Sequence, residues 1–270
     1  MPQGIPMRRG SAPTVSSGVV RRRGRAHPVV YRKNRKGDGA LSRARAVLFD
    51  LDGTLLDSLE DLADAMNQVL GDLGMPRHPL DAYRYFVGEG MEVLVRRALP
   101  DAGWDDRTFA SALSALRVEY DRRCTRKTRP YPGIPELLDA LAERGLPFGI
   151  LSNKPHDATV AVTKLLLPRW RFAAVLGARA DVPKKPDPAG ALEVADLLGL
   201  TPREVLYLGD TPTDMRTARS AGMQAVGVLW GFRPAQELRE GGASILVERP
   251  RDVLGLLRGE ADQAAAPESP

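Results

Sequence analysis

Asp50 and Asp52 stand one residue apart at the end of the apolar run Val47-Leu48-Phe49, and Gly53-Thr54 follow at once. Carboxylates at the end of a buried strand are costly unless they are paired or bind a cation. Gly53 bends the chain here, so the two acids are not simply one face of a continuing strand. The run presents a nucleophile-sized acid with a second acid close by, which is equipment for phosphoryl transfer through a carboxylate. Taken alone, Asp-Gly is also a common turn pair and Asp a common helix cap. Three further signals downstream turn the reading toward chemistry.

A carboxylate attacking phosphorus meets like-charge repulsion. A divalent cation must bridge acid and phosphate, and a cationic side chain must take up charge in the transition state. Gly209-Asp210-Thr211-Pro212-Thr213-Asp214 places two carboxylates four residues apart at a helix entry. Oxygen ligands from Asp210 and Asp214 suit Mg²⁺, a hard cation that keeps several waters. Lys185 lies in Lys184-Lys185-Pro186-Asp187-Pro188, a proline-stiffened loop from which it could reach a phosphate. Ser152-Asn153 offers a hydroxyl and an amide to phosphate oxygens. Each has a plainer alternative at this point: a helix N-cap for Asp214, a solvated basic turn for Lys185, a strand end for Ser152-Asn153.

These residues must be brought together by the elements between them. Apolar runs read as strands over 46–49, 148–151, 173–176, 205–208 and 225–229, with a last short one at 245–246. Helical spacing marks 59–73, 93–99, 109–120, 134–141, 160–167, 191–198, 214–221 and a short helix over about 251–258. The alternation predicts an α/β fold: a Rossmann-like, doubly wound parallel sheet with helices on both faces. Ligands of such sheets bind beyond the carboxyl ends of the strands. Asp50, Ser152 and Asp210 each follow a strand's apolar run, so the fold brings them to one edge. The mostly helical stretch 58–128 interrupts the alternation and reads as a smaller inserted helical domain over that edge. The expected division is a basic tail over 1–44, a core over 45–57 and 129–258, the insert over 58–128, and a flexible tail over 259–270.

Composition narrows the function classes. The only cysteine, Cys124, excludes a disulfide framework, and His27, His78 and His156 show no zinc-ligand spacing. No apolar run approaches a membrane span, and a cytoplasmic setting is expected. The net charge of +5 belongs to a tail: residues 1–45 hold 12 Lys or Arg and one acid, while the rest holds 27 basic and 33 acidic residues. The tail lacks apolar periodicity and reads as disordered. Polyanion binding, targeting and an inert extension all stay open for it. A different-class alternative for the whole chain is a non-catalytic polyanion-binding protein that uses this tail. Against it, a binding module does not need Asp50, Asp52, Lys185 and Asp210 together.

The four motifs, in order and spacing, resemble those of haloacid dehalogenase superfamily phosphatases, most closely the phosphoglycolate phosphatase-type branch with a C1-type helical cap. The matching pieces are Asp50-Leu51-Asp52-Gly53-Thr54, Ser152-Asn153, Lys185-Pro186-Asp187-Pro188, and Gly209-Asp210 with Asp214. The resemblance implies that Asp50 is the nucleophile and forms an aspartyl-phosphate. It implies that Asp52 protonates the leaving oxygen and then activates water. It places Thr54, Ser152 and Asn153 at the phosphoryl group, Lys185 as the neutralising cation, and Mg²⁺ on Asp50, the Asp52 backbone carbonyl, Asp210 and Asp214. Asp52 favours a phosphate over a halide substrate, since dehalogenation needs no acid there.

In the insert, Phe86-Val87-Gly88-Glu89-Gly90 resembles the family's substrate-approaching loop, where Gly88 and Gly90 would let backbone amides come close to the substrate; a plain interhelical turn is the alternative. Glu89 departs from the uncharged residue usual there, and Arg84, Arg96 and Arg97 are the candidate compensating cations. The implied activity is Mg²⁺-dependent hydrolysis of a small phosphomonoester, with 2-phosphoglycolate first and β-phosphoglucomutase-like transfer, pyrophosphatase or nucleotidase activity as alternatives. The expected partner is a small phosphorylated metabolite, with no membrane, no nucleic acid beyond what the tail could touch, and a monomer or homodimer.

Overall fold

The computed structural model describes residues 44–257; the expected tail over 1–44, save its last residue, and the expected tail over 259–270 lie outside them. The chain enters the sheet with β1 (Ala46–Phe49), turns into the two-residue β2 (Leu56–Asp57), and then runs through α1 (Leu59–Asp72), α2 (Leu80–Phe86), α3 (Met91–Ala98) and α4 (Asp106–Asp121). It returns through β3 (Arg129–Pro130) and α5 (Ile134–Glu143) to β4 (Phe148–Pro155), α6 (His156–Leu166), β5 (Ala174–Ala178) and α7 (Ala189–Leu197). The remaining elements are β6 (Val205–Gly209), α8 (Pro212–Ala221), β7 (Gln224–Val228), α9 (Ala235–Gly241), β8 (Ile245–Val247) and a 3₁₀ turn over Pro250–Leu256. No helix among the described residues is long and apolar enough to cross a membrane.

The main sheet has the order β5-β4-β1-β6-β7-β8, with every pair parallel. Side chains alternate between its faces. Val47 and Phe49 pack on one side with Leu137, Leu141 and Val162, while Ala46 and Leu48 pack on the other with Val194, Met215 and Leu238. Helices cover both faces, so the sheet is doubly wound as expected. The register pairs Phe49 with Ile150 on one flank and with Leu208 on the other. The three strands that carry the chemical motifs are therefore neighbours in the sheet, and Asp50, Leu151 and Gly209 follow its paired residues at one edge.

Helices α1 to α4 build their own apolar cluster around Met66, Leu70, Tyr83, Leu94, Leu116 and Tyr120. One core residue joins it: Phe232, just after β7. The chain leaves for this insert and returns through the antiparallel β2–β3 pair. A second tie sits beside it. Asp61, in the first turn of α1 and 1% exposed, accepts the Lys127 N–H at 3.0 Å, the Thr128 N–H at 2.8 Å and the Thr128 hydroxyl at 2.7 Å.

Several elements differ from their sequence reading, among them the short helix expected over about 251–258, which is a 3₁₀ turn. Strand β4 runs on to Pro155 instead of stopping at Leu151, because Ser152, Asn153 and Lys154 find polar partners that allow them to be buried. The N-cap of α8 is Thr211, whose hydroxyl and Asp214 cap each other reciprocally, so Asp214 is the third helical residue and not the cap. Helix α9 left little periodic signal, since only Leu238 in it is buried.

Candidate active site

Asp50 extends β1 by one residue, its N–H bonded to Leu208 O at 2.9 Å. Asp210 extends β6, and Asp214 rises from the first turn of α8. Oxygens of these three buried carboxylates lie within 4.8 Å of one another. Lys185 reaches between them from the loop before α7, with its Nζ 2.8 Å from Asp50 Oδ1, 2.7 Å from Asp214 Oδ1 and 3.2 Å from Leu151 O.

The backbone makes room for this cluster by omitting side chains. A Cβ on Gly53, which has φ +87°, would sit 2.6 Å from Asp210 Cγ, and one on Gly231 would sit 2.7 Å from the same atom. Asp210 is fixed in that cradle by the Thr54 hydroxyl at 3.2 Å and the Phe232 N–H at 2.8 Å. Phe232 thus grips a site carboxylate with its backbone while its ring packs in the helical insert.

The electrostatics call for a cation. Burial, and then the charge of Asp214, raise the Asp50 carboxyl well above its ordinary range, against the pull of Lys185. Burial, and again Asp214, push Asp210 up to about 7. Burial works against the Lys185 ammonium, yet the charges of Asp214 and Asp50 outweigh it and hold it well above its usual value. Among the described residues, and counting Asp52, four carboxylates face two ammonium groups, Lys185 and Lys154. The deficit of two positive charges and the all-oxygen donor set fit one hard divalent cation such as Mg²⁺ on Asp50, Asp210 and Asp214.

Asp52 stands apart from that cluster and borders a cleft of about 450 Å³ between the sheet edge and the insert. Asp50, Ser152, Asn153 and Lys154 line the core side of the cleft, and Leu62, Val87, Gly88, Gly90, Met91, Leu94 and Tyr120 the insert side. Lys154, absent from the sequence reading, grips Asp52: its Nζ lies 3.0 Å from both carboxylate oxygens and 2.7 Å from the Tyr120 hydroxyl. Burial disfavours the Lys154 ammonium, but Asp52 and Tyr120 more than compensate and raise its pKa.

Two expected phosphate contacts are engaged elsewhere. The Thr54 hydroxyl donates to Asp210 rather than facing the cleft. The Asn153 amide donates to Gly88 O at 3.2 Å and Lys185 O at 3.1 Å and accepts the Lys185 N–H at 2.9 Å. With its side-chain amide so used, Asn153 ties the Lys185 loop to the insert loop, while the residue still lines the cleft. The Ser152 hydroxyl accepts the Lys154 N–H at 3.2 Å and lies on the cleft wall.

Gly88 and Gly90 both have positive φ, +116° and +93°, and both line the cleft. A Cβ at Gly88 would come 3.2 Å from Thr211 Cγ2. Glu89 is paired: Arg97 Nη2 lies 2.6 Å from it. The other candidate cations are engaged differently, Arg84 with Asp81 and Gly231 O, and Arg96 over the Phe109 ring.

This geometry has relatives. A family model described as haloacid dehalogenase-like hydrolase matches residues 47–228. A phosphoglycolate phosphatase of Pseudomonas putida is 36% identical over 224 residues, 82% of this chain and 81% of that protein. A phosphoglycolate phosphatase of Aquifex aeolicus is 30% identical over 213 residues, 79% of this chain and 96% of that one. Among solved structures, a haloacid dehalogenase-like family hydrolase of Streptococcus pneumoniae superposes with a TM-score of 0.72 at 25% identity, covering 79% of this chain and 98% of its own.

Proposed function

The chain belongs to the haloacid dehalogenase-like hydrolase family and is a phosphomonoester hydrolase; from that premise we propose that it works through an aspartyl-phosphate on Asp50, with Mg²⁺, and that its substrate is a small metabolite, first of all 2-phosphoglycolate. One observation carries the mechanism. A single buried lysine, Lys185, hydrogen-bonds Asp50 while Asp210 and Asp214 crowd the same carboxylate, at the floor of a cleft that also holds Asp52.

Asp50 supplies the attacking oxygen. The P–O bond to the substrate alcohol breaks as the new P–O bond to Asp50 forms, and Asp52 gives its proton to the departing alcohol oxygen. In the second half, Asp52 takes a proton from water as the water attacks phosphorus, and inorganic phosphate leaves with Asp50 restored. Lys185 keeps Asp50 oriented and supplies positive charge beside the transferring group. Asp50, Asp210 and Asp214 would hold Mg²⁺, which supplies charge neutralisation for an anion approaching an anion. Helices α1 to α4 serve as the cap that excludes water and shapes the cleft.

Three features support a small anionic substrate. The cleft is narrow and its insert wall is largely apolar, with Leu62, Val87, Met91 and Leu94. Glu89, between the cleft-lining Gly88 and Gly90, is offset by Arg97. Two relatives quoted above, those of Pseudomonas putida and Aquifex aeolicus, are named phosphoglycolate phosphatase. A panel of phosphorylated metabolites assayed for phosphate release with Mg²⁺, beside Asp50→Asn, tests the reading. Phosphoglycolate should give the highest kcat/KM, and Asp50→Asn should lose at least about 10³-fold. Equal turnover by Asp50→Asn would overturn the mechanism, and a better sugar phosphate or nucleotide would overturn the substrate.

A further inference from the structure

Asp52 leaves the sheet in a turn. Its backbone makes one isolated bridge, to Leu56, and among the described residues its side chain is held by the Lys154 ammonium alone. That ammonium is 3% exposed. Burying a charge there costs several kcal/mol unless it is fully partnered, and an apolar side chain would fill the same space without that cost. The partners are telling. Lys154 Nζ bonds both oxygens of Asp52 at 3.0 Å and the Tyr120 hydroxyl at 2.7 Å, and it lies 4.6 Å from the centre of the Tyr120 ring. Its backbone N–H is fixed on Ser152. Tyr120 is fully buried in α4, the last helix of the insert. One lysine on a central strand therefore joins the insert to the acid that borders the cleft.

We infer that Lys154 and Tyr120 are positioning residues for Asp52, and that through them the seating of the helical insert on the core sets where the proton-transferring carboxylate stands. An ammonium that reaches both oxygens fixes the plane of the carboxylate as well as its place. Tyr120 fixes the ammonium in turn, so Asp52 is correctly aimed only when α4 is docked. Rate is sensitive to such placement, since misplacing a catalytic group by about 1 Å can cost on the order of 10²-fold. Both side chains also border the cleft; the role inferred for them is exerted through Asp52. The inference rests on the role of Asp52 as acid and base proposed above.

The test uses leaving-group dependence, which a merely structural residue would not alter. The full-length enzyme with Mg²⁺ is assayed on a simple alkyl phosphomonoester, whose alcohol needs a proton to leave, and on p-nitrophenyl phosphate, whose phenolate does not. Lys154→Met should lower kcat/KM for the alkyl ester by about 10²-fold and for the aryl ester by less than about tenfold. In an Asp52→Asn background the same substitution should add less than about threefold, because the group it positions is already gone. Tyr120→Phe removes one oxygen, keeps the fold, and should show a smaller loss with the same alkyl bias. If Lys154→Met does not fold, Tyr120→Phe alone and combined with Asp52→Asn carries the test.

Equal losses on both esters, or losses that multiply in the Asp52→Asn background, would overturn the inference. An Asp52→Asn enzyme that keeps its alkyl-ester activity would instead overturn the mechanism on which the inference rests. The two failures are therefore distinguishable.

Discussion

Asp61→Ala tests how the helical insert is tied to the core. Asp61 is buried at the start of α1, where the chain enters the insert, and its carboxylate accepts from Lys127 and Thr128, where the chain leaves it. Truncation strands the Thr128 N–H and hydroxyl on a residue only 5% exposed. The Lys127 N–H is only part-buried, and water can take it. Two buried donors left unpaired, at about 1–3 kcal/mol each, give a loss of about 3 kcal/mol. Asp61→Asn keeps one acceptor oxygen and should cost about 1 kcal/mol. Urea unfolding at fixed Mg²⁺ is the assay; with a slope of about 2–3 kcal/mol/M, the alanine midpoint should fall by about 1 M at an unchanged slope. An Asp61→Ala midpoint within about 0.2 M of the parent would refute the claim that this carboxylate joins the two ends of the insert.

Two further outcomes follow from the electrostatics. Arg97→Met frees the charge of Glu89 between Gly88 and Gly90, two glycines that line the cleft, so KM for an anionic substrate should rise by up to about fivefold, given a surface pair worth up to about 1 kcal/mol, with kcat little changed; adding Glu89→Gln should restore it, and steady-state kinetics of the single and double variants decide. With metal chelated, Asp210 binds its proton up to about pH 7 when folded against an ordinary value of 3.8. The folded chain then holds more protons than the unfolded one across that window, so stability falls as pH rises through it, by up to about 4 kcal/mol. Thermal melts in chelator should show a lower Tm at pH 7.5 than at pH 5, and Mg²⁺ should recover it. A pH-independent Tm in chelator would contradict the assignment of Asp210 as a cation-dependent group.

The sequence made the clustering of Asp50 and Asp210 legible because each follows an apolar strand, and a parallel sheet puts strand ends together. The boundaries of β1 could be read directly, since Ala46–Phe49 is apolar throughout and ends in an acid. The contacts that cross between distant segments could not be read. Lys154 looks like one more polar residue after Ser152-Asn153, and only the fold reveals that it is buried against Asp52 and Tyr120, 102 and 34 residues away in sequence. Thr54 and Asn153 fit phosphate-binding motifs by type, yet their polar groups are engaged by Asp210, Gly88 and Lys185. Residue type gave the chemistry available; which partner each group took depended on packing.

The central claim is that Asp50 becomes phosphorylated, and mass spectrometry of the acid-quenched enzyme tests it most directly. Enzyme mixed with Mg²⁺ and 2-phosphoglycolate, quenched within the first turnover and digested, should yield one hydroxylamine-sensitive phosphoryl group on the peptide that contains Asp50; with p-nitrophenyl phosphate, whose phenolate leaves without a proton, Asp52→Asn should hold more of it, since there only its hydrolysis is slowed. Steady phosphate release with no phosphoryl group on Asp50 in either protein, or the label on another residue, would contradict the account.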